Sequence, residues 1–169
     1  DHIDSVRYQA REEIAIKKML DSEGCCAFSN TFQDLYGMRQ LPGLATQHLL
    51  ASGYGYGGEG DWKVSAMTAI IKFMAEGRTG GSAFMEDYTY HLVPGSEYSL
   101  GAHMLEVCPS VAAARPRIEV HHLGIGDKED PARLVFEGRE GNAVVVSLVD
   151  MGGRLRLICQ DIHCVKPIM

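Results

Sequence analysis

Apolar positions recur at two different periods along this chain, and the change of period divides it. Over residues 3–20, Ile3, Val6, Ala10, Ile14 and Met19 fall three to five apart, with Arg11, Glu12, Lys17 and Lys18 interleaved. That spacing predicts an amphipathic helix. Asp21-Ser22-Glu23-Gly24 ends it, since glycine is common just past a helix terminus. The short apolar run at residues 25–28 predicts a buried parallel strand. A loop at residues 29–42 leads to a second helix over 44–52. Beyond a glycine-rich stretch, Asp61 is placed to cap a third helix reaching Glu76, with Val64, Met67, Ala69, Ile71 and Met74 on its buried side. Helix, strand, loop and helix in this order mark an α/β layer.

From Arg78-Thr79-Gly80-Gly81 onward the period drops to two. Residues 82–91 alternate as a strand, with Phe84, Glu86, Tyr88 and Tyr90 on one face and Met85, Asp87, Thr89 and His91 on the other. Val93-Pro94-Gly95-Ser96 turns the chain. Residues 98–107 predict the next strand, on which His103 shares a face with Leu105 and Val107. Further strands are expected at 117–122, 133–136, 142–149 and 154–165. The fold class is therefore α/β over residues 1–78, followed by mainly antiparallel β over residues 79–169.

Composition narrows the function. The 169 residues suit one domain or parts of two, with ordinary hydrophobic (46%) and charged (22%) content. A net charge of -6 with scattered basic residues excludes a nucleic-acid-binding surface. No apolar run approaches the ~20 residues that span a bilayer. The start, Asp1-His2-Ile3-Asp4, carries no secretory signal and no initiating Met, so a piece of a longer polypeptide is expected. Five cysteines without a regular framework read as buried thiols in a reducing cytoplasm.

Chemistry concentrates around Glu59, which lies between two glycines in Gly57-Gly58-Glu59-Gly60. Gly53-x-Gly55-x-x-Gly58 matches G-x-G-x-x-G formally, but a helical segment precedes it where a dinucleotide site needs a strand. Glu86 sits among aromatics and His103 among apolar residues. A carboxylate so placed must be compensated by a cation or by hydrogen bonds. Two readings stay open: Glu59, Glu86 and His103 meet at a divalent ion, or Glu86 forms an ordinary buried ion pair and His103 is a satisfied core histidine. The separations fit no local metal motif. Asp87 and Glu106 point away from Glu86 and Leu105 and are set aside, and Trp62 is expected to pack.

Several segments closely resemble the L-arabinose isomerase family: Phe32-Gln33-Asp34-Leu35-Tyr36-Gly37, Gly57-Gly58-Glu59-Gly60-Asp61-Trp62-Lys63, Phe84-Met85-Glu86-Asp87-Tyr88-Thr89-Tyr90-His91, His103-Met104-Leu105-Glu106-Val107-Cys108-Pro109, and residues 124–134. The resemblance implies an aldose–ketose isomerase that takes L-arabinose to L-ribulose, or D-galactose to D-tagatose, through an enediol. It implies Mn²⁺, with Co²⁺ tolerated, held by Glu59, Glu86 and His103. The two glutamates would also serve as acid and base. Phe32 and Ile125 match positions bordering the sugar. Tyr88, two residues after Glu86 and pointing the same way, and Met104, next to His103, are further candidates for the pocket lining.

The same resemblance implies part of a Rossmann-like (fucose isomerase-like) central domain over residues 1–78, joined over residues 79–169 to part of a β-barrel-like domain. It also implies a cytoplasmic homohexamer with sites at subunit interfaces. The chain departs from the family at the fourth ligand, which comes from a histidine pair expected beyond Met169. His121-His122 stands in a different motif. Alone, the chain is expected to bind metal poorly and to turn nothing over. The alternatives are an isomerase of fucose or another deoxy sugar, and a carbohydrate- or metal-binding module without catalysis.

Overall fold

The computed structural model of the chain describes residues 2–167. Its first half alternates helices with two short strands: α1 (Ile3–Glu23), β1 (Ala27–Phe28), α2 (Gly43–Ala51), β2 (Gly55–Tyr56) and α3 (Trp62–Met74). Its second half consists of strands and one 3-10 turn: β3 (Tyr88–Val93), β4 (Ser96–Gly101), β5 (Arg117–Val120), β6 (Ala132–Val135), β7 (Gly141–Asp150) and β8 (Leu155–Cys164). β1 and β2 pair in parallel, while β3–β4, β5–β6 and β7–β8 are antiparallel. The result is a mixed α/β chain with mainly antiparallel small sheets, following the change of period in the sequence. Among the described residues no helix is long and apolar enough to cross a membrane.

Parallel strands require the chain to return before pairing again, and α2 lies in that return between β1 and β2. α3 then lies directly on β2. A Cβ on Gly55 would stand 2.3 Å from the Ser65 carbonyl oxygen and 2.7 Å from the Ala69 Cβ, so only glycine permits this approach. Asp61 caps α3 as predicted, its carboxylate accepting from the Lys63 and Val64 backbone N–H groups at 3.0 Å each. Two apolar clusters result. Leu50, Tyr56, Phe84 and Cys108 form one, and Leu41, Leu105 and Leu123 form the other.

Several expectations need correction. In α1 the predicted apolar face is outside: Ile3, Ile14 and Met19 are more than half exposed. Its buried residues are Leu20 and the polar Gln9 and Glu12; Gln9 spends its amide on the neighbouring segment, donating to Gln40 Oε1 and the Leu41 carbonyl and accepting from the Ala45 N–H. In α3 Val64 and Ala69 face inward as expected, the buried residues are Ser65 and Thr68, small enough for close packing, and Met74 projects outward. Trp62 is exposed rather than packed, with the Lys63 ammonium over its ring. Only Cys108 is a buried thiol. Cys25 and Cys26 sit in the turn after α1, and Cys159 lies on a β7–β8 hairpin that is largely exposed.

Glu12 adds a buried acid to the α1–α2 contact. Its carboxyl accepts from Gln9 Nε2 at 2.8 Å, and its other oxygen has no partner among the described residues. Burial raises its pKa from 4.5 to about 8, against the Gln9 hydrogen bond and the Lys128 ammonium, which favour the charged form. The folded state thus holds a proton that the unfolded chain releases above pH 4.5. Stability falls as pH rises from about 5 to about 8. Glu12→Gln, permanently neutral, should gain on the parent protein by ~1 kcal/mol or more at pH 8 relative to pH 5. Denaturant midpoints at the two pH values measure this, and equal differences at both would refute it.

Candidate metal centre

The strand predicted over residues 82–91 begins only at Tyr88, and the one predicted over 98–107 ends at Gly101. Glu86 and His103 therefore lie just beyond the open end of the β3–β4 hairpin, where ladder bonding gives way to side-chain contacts. The register survives a little further, since the Ala102 N–H donates to the Asp87 carbonyl at 3.1 Å. Extended by two residues from Tyr88↔Gly101, that register sets Glu86 opposite His103. His103 Nε2 lies 3.8 Å from Glu86 Oε1.

Glu59 arrives from the other half of the chain. Ser29 donates to the Gly57 carbonyl at 2.6 Å and the Gly60 N–H donates to the Asn30 carbonyl at 3.1 Å, so the residues after β1 strap the loop in place. Glu59 has φ 55, the left-handed region, and is the only non-glycine residue in it among those described. Such a conformation costs about 1–3 kcal/mol and concentrates at functional sites. Gly58, immediately before it, lies against the Glu86 carboxyl: a Cβ there would fall 2.9 Å from Oε1 and 3.0 Å from Oε2. The Glu86 carboxyl thus rests against the residue directly before Glu59.

Glu59, Glu86 and His103 line one cavity of about 240 Å³, where the two apolar clusters adjoin. Phe32, Met104 and Ile125 share the lining, together with Asn30, Tyr56, Asp87 and Glu106. Tyr88 does not; it stands at the start of β3, stacked on Tyr90 with ring centroids 6.3 Å apart. A wider depression of about 630 Å³ between the start of α1 and β5 includes His121 and holds none of the predicted residues.

Strand alternation turns Asp87 and Glu106 away from the site, and the structure corrects this expectation. His103 Nδ1 bonds Asp87 Oδ2 and Nε2 bonds Glu106 Oε2, each at 2.6 Å. No strand runs through these residues, so alternation says nothing of where they point. Their contacts with His103 form beyond the end of the ladder, where neither alternation nor the hairpin register specifies them. Phe28, Tyr56 and Phe84 form a chain of ring contacts ending edge-on against the His103 imidazole, 5.7 Å between centroids. Burial disfavours the imidazolium, but the hydrogen bonds and charges of Glu106 and Asp87 outweigh it and lift the His103 pKa to about 9. Burial raises the Glu86 pKa; His103 opposes this, and the Glu59, Asp87 and Glu106 carboxylates add to it. Burial, with the charges of Glu106 and Glu86, likewise raises the Tyr56 pKa and keeps the phenol neutral, so that it donates to Asn30 Oδ1 at 3.0 Å.

Among the described residues no three His, Cys, Asp or Glu side chains form a group able to hold an ion as they stand. Both His103 nitrogens are engaged by carboxylates. In kind and charge the residues still fit a divalent cation. Four carboxylates surround one imidazole, an excess of negative charge, and oxygen and imidazole donors suit Mn²⁺. Asp87 on Nδ1 stands where a carboxylate would orient a metal-ligating histidine, and Nε2 would serve as the ligand atom only on giving up its bond to Glu106.

Comparison with known proteins gives the family. Residues 1–77 match the L-arabinose isomerase central domain and residues 81–169 the L-arabinose isomerase C-terminal domain. The chain is 61% identical over 164 residues to L-arabinose isomerase of Geobacillus stearothermophilus, covering 97% of this chain and 33% of that protein. It is 60% identical to the enzyme of that name from Anoxybacillus flavithermus, covering 97% of this chain and 32% of that protein. The figure is 54% for its counterpart from a Nocardioides species, with 97% and 33% covered. It spans about a third of the length of these relatives. Matched to both domains along almost its whole length, the chain belongs to the L-arabinose isomerase family.

Proposed function

We propose that, within the full-length protein, this chain supplies Glu59, Glu86 and His103 to the metal centre of an aldose–ketose isomerase that converts L-arabinose to L-ribulose. D-galactose to D-tagatose is the same chemistry on a longer sugar. The observation that carries the reading is the convergence of these three side chains, remote in sequence, on one cavity. Bound Mn²⁺ or Co²⁺ would act there as a Lewis acid on the sugar's carbonyl and hydroxyl oxygens. Glu59 and Glu86 are the acid–base pair: one takes the C2 proton while the other protonates the carbonyl oxygen to give the enediol. The first then returns its proton to C1 as the second takes back the C2 hydroxyl proton, giving the ketose. Asp87 fixes the imidazole of His103. Phe32, Met104 and Ile125 pack against the carbon face of the sugar and exclude water. Tyr88, at the start of β3 and outside this cavity, stands apart from it.

The remaining ligand and first-domain contacts come from outside this chain, so the isolated chain is read as inactive. We place residues 1–78 at the end of a Rossmann-like central domain and residues 79–169 at the start of a β-barrel-like one, in a cytoplasmic homohexamer. Exposed Phe73, Tyr90, Leu92, Tyr98 and Leu157 support further protein covering these faces. The test is the purified full-length protein, stripped with a chelator and offered L-arabinose, D-galactose and L-fucose. Ketose formation from L-arabinose should vanish on stripping and return with Mn²⁺ or Co²⁺. Turnover of L-fucose alone, or full activity after stripping, would sink the reading.

A further inference from the structure

His103, Met104, Leu105 and Glu106 line the cavity from a stretch of backbone that belongs to no helix or strand. Leu105, Glu106 and Val107 are nonetheless buried, so their carbonyl groups need partners that no sheet provides. The Leu105 carbonyl accepts from the Val107 N–H at 3.1 Å, and two side chains from distant elements hold the carbonyls of Met104 and Val107. Arg133 on β6 donates from Nη1 to the Met104 carbonyl at 3.2 Å and from Nη2 to the His121 carbonyl at 2.8 Å. Gln47 on α2 donates Nε2 to the Val107 and Leu134 carbonyls, each at 3.0 Å, while its Oε1 accepts from the Leu134 N–H at 2.7 Å. Arg133 is 6% exposed and Gln47 1%.

We propose that Arg133 and Gln47 are positioning residues of the metal centre, gripping the 103–107 segment at both ends so that His103 and Glu106 stand where the cavity requires. The grips fall on Met104, directly after His103, and on Val107, directly after Glu106. Both lead back to β6, through Arg133 itself and through the Gln47 contacts with Leu134. β6 is thereby the rigid rail on which an irregular segment is hung. The guanidinium is planar and holds its two carbonyls at a fixed mutual angle, which an ammonium cannot do. Arg133 Nε is buried without a partner among the described residues. A charge left partly unsatisfied in the interior is a poor stabiliser, in keeping with a residue whose value is placement.

The proposal rests on the isomerase reading, and its test separates the two. Full-length wild type, Arg133→Met, Arg133→Lys and Gln47→Met are prepared metal-free and titrated with Mn²⁺ by the paramagnetic resonance of the free ion. Thermal midpoints, kcat and KM are measured alongside. Outer-shell partners of ligating residues are worth about 10–100-fold in metal affinity. Arg133→Met and Gln47→Met should therefore weaken Mn²⁺ binding by about tenfold or more and lower kcat, with KM for the sugar within about twofold. Arg133→Lys should recover part of the loss, because one ammonium can hold one of the two carbonyls. Should the methionine variants fail to fold, Arg133→Lys against wild type gives the same readout. Lower melting temperatures with an unchanged Mn²⁺ Kd would make both residues merely structural and overturn the proposal alone. A wild type that binds no Mn²⁺ would overturn the metal centre and the proposal with it.

Discussion

Replacing Glu86 by glutamine in the full-length protein should lower kcat by about 10³ while leaving the fold intact. Glutamine keeps the shape and packs equally well against Gly58, but it neither carries a transferable proton nor offers a carboxylate to a cation. Mn²⁺ affinity should fall with kcat, because the same side chain serves both purposes. Glu59→Gln should act alike. Its backbone at φ 55 is already set by the loop, so the substitution removes charge without removing strain. Steady-state rates and Mn²⁺ titrations of both variants check this. If both keep wild-type turnover, neither carboxylate moves the proton and the assignment fails.

Gly58→Ala tests the junction between the two glutamates without touching either. The added Cβ would fall 2.9, 3.0 and 3.2 Å from Oε1, Oε2 and Cδ of Glu86. These are the far end of a flexible side chain, which can swing aside, so the stability cost should stay within about 1 kcal/mol. Catalytic geometry is less forgiving, since a displacement of about 1 Å can cost roughly 10²-fold. kcat/KM should therefore drop by about 10- to 100-fold with a nearly unchanged melting temperature. Equal Mn²⁺ affinity and rate in Gly58→Ala and wild type would mean that the Glu86 carboxyl need not stand where it does.

How far the sequence was legible varies along the chain. The α3 cap, the parallel pairing of the run that includes Ala27 and Phe28, and the long β7 and β8 were readable because each is set by neighbours in sequence: a capping side chain, an apolar run, alternation. Burial along α1 was not. Its helical period is genuine, but which side faces inward depends on what α2 and the residues before it offer, and they offer polar groups that Gln9 satisfies. The alternation through Glu86 and His103 failed for a similar reason. A period of two orients side chains only while the ladder continues, and it stops at Tyr88 and Gly101.

By itself the sequence determined the two-part order of elements, the turn that sets the β3–β4 register, and, through family-specific motifs, the residues around which a metal chemistry is proposed. Local interactions and shared ancestry both leave their mark within short stretches. Only the tertiary structure decided that Glu59 takes a left-handed backbone, that Gly58 admits the Glu86 carboxyl, and that Asp87 and Glu106 hold His103. It alone assigned the support of that segment to Gln47 and Arg133. Those contacts join residues from opposite halves of the chain or beyond the end of a ladder, where no periodicity along the sequence specifies which side chains will meet.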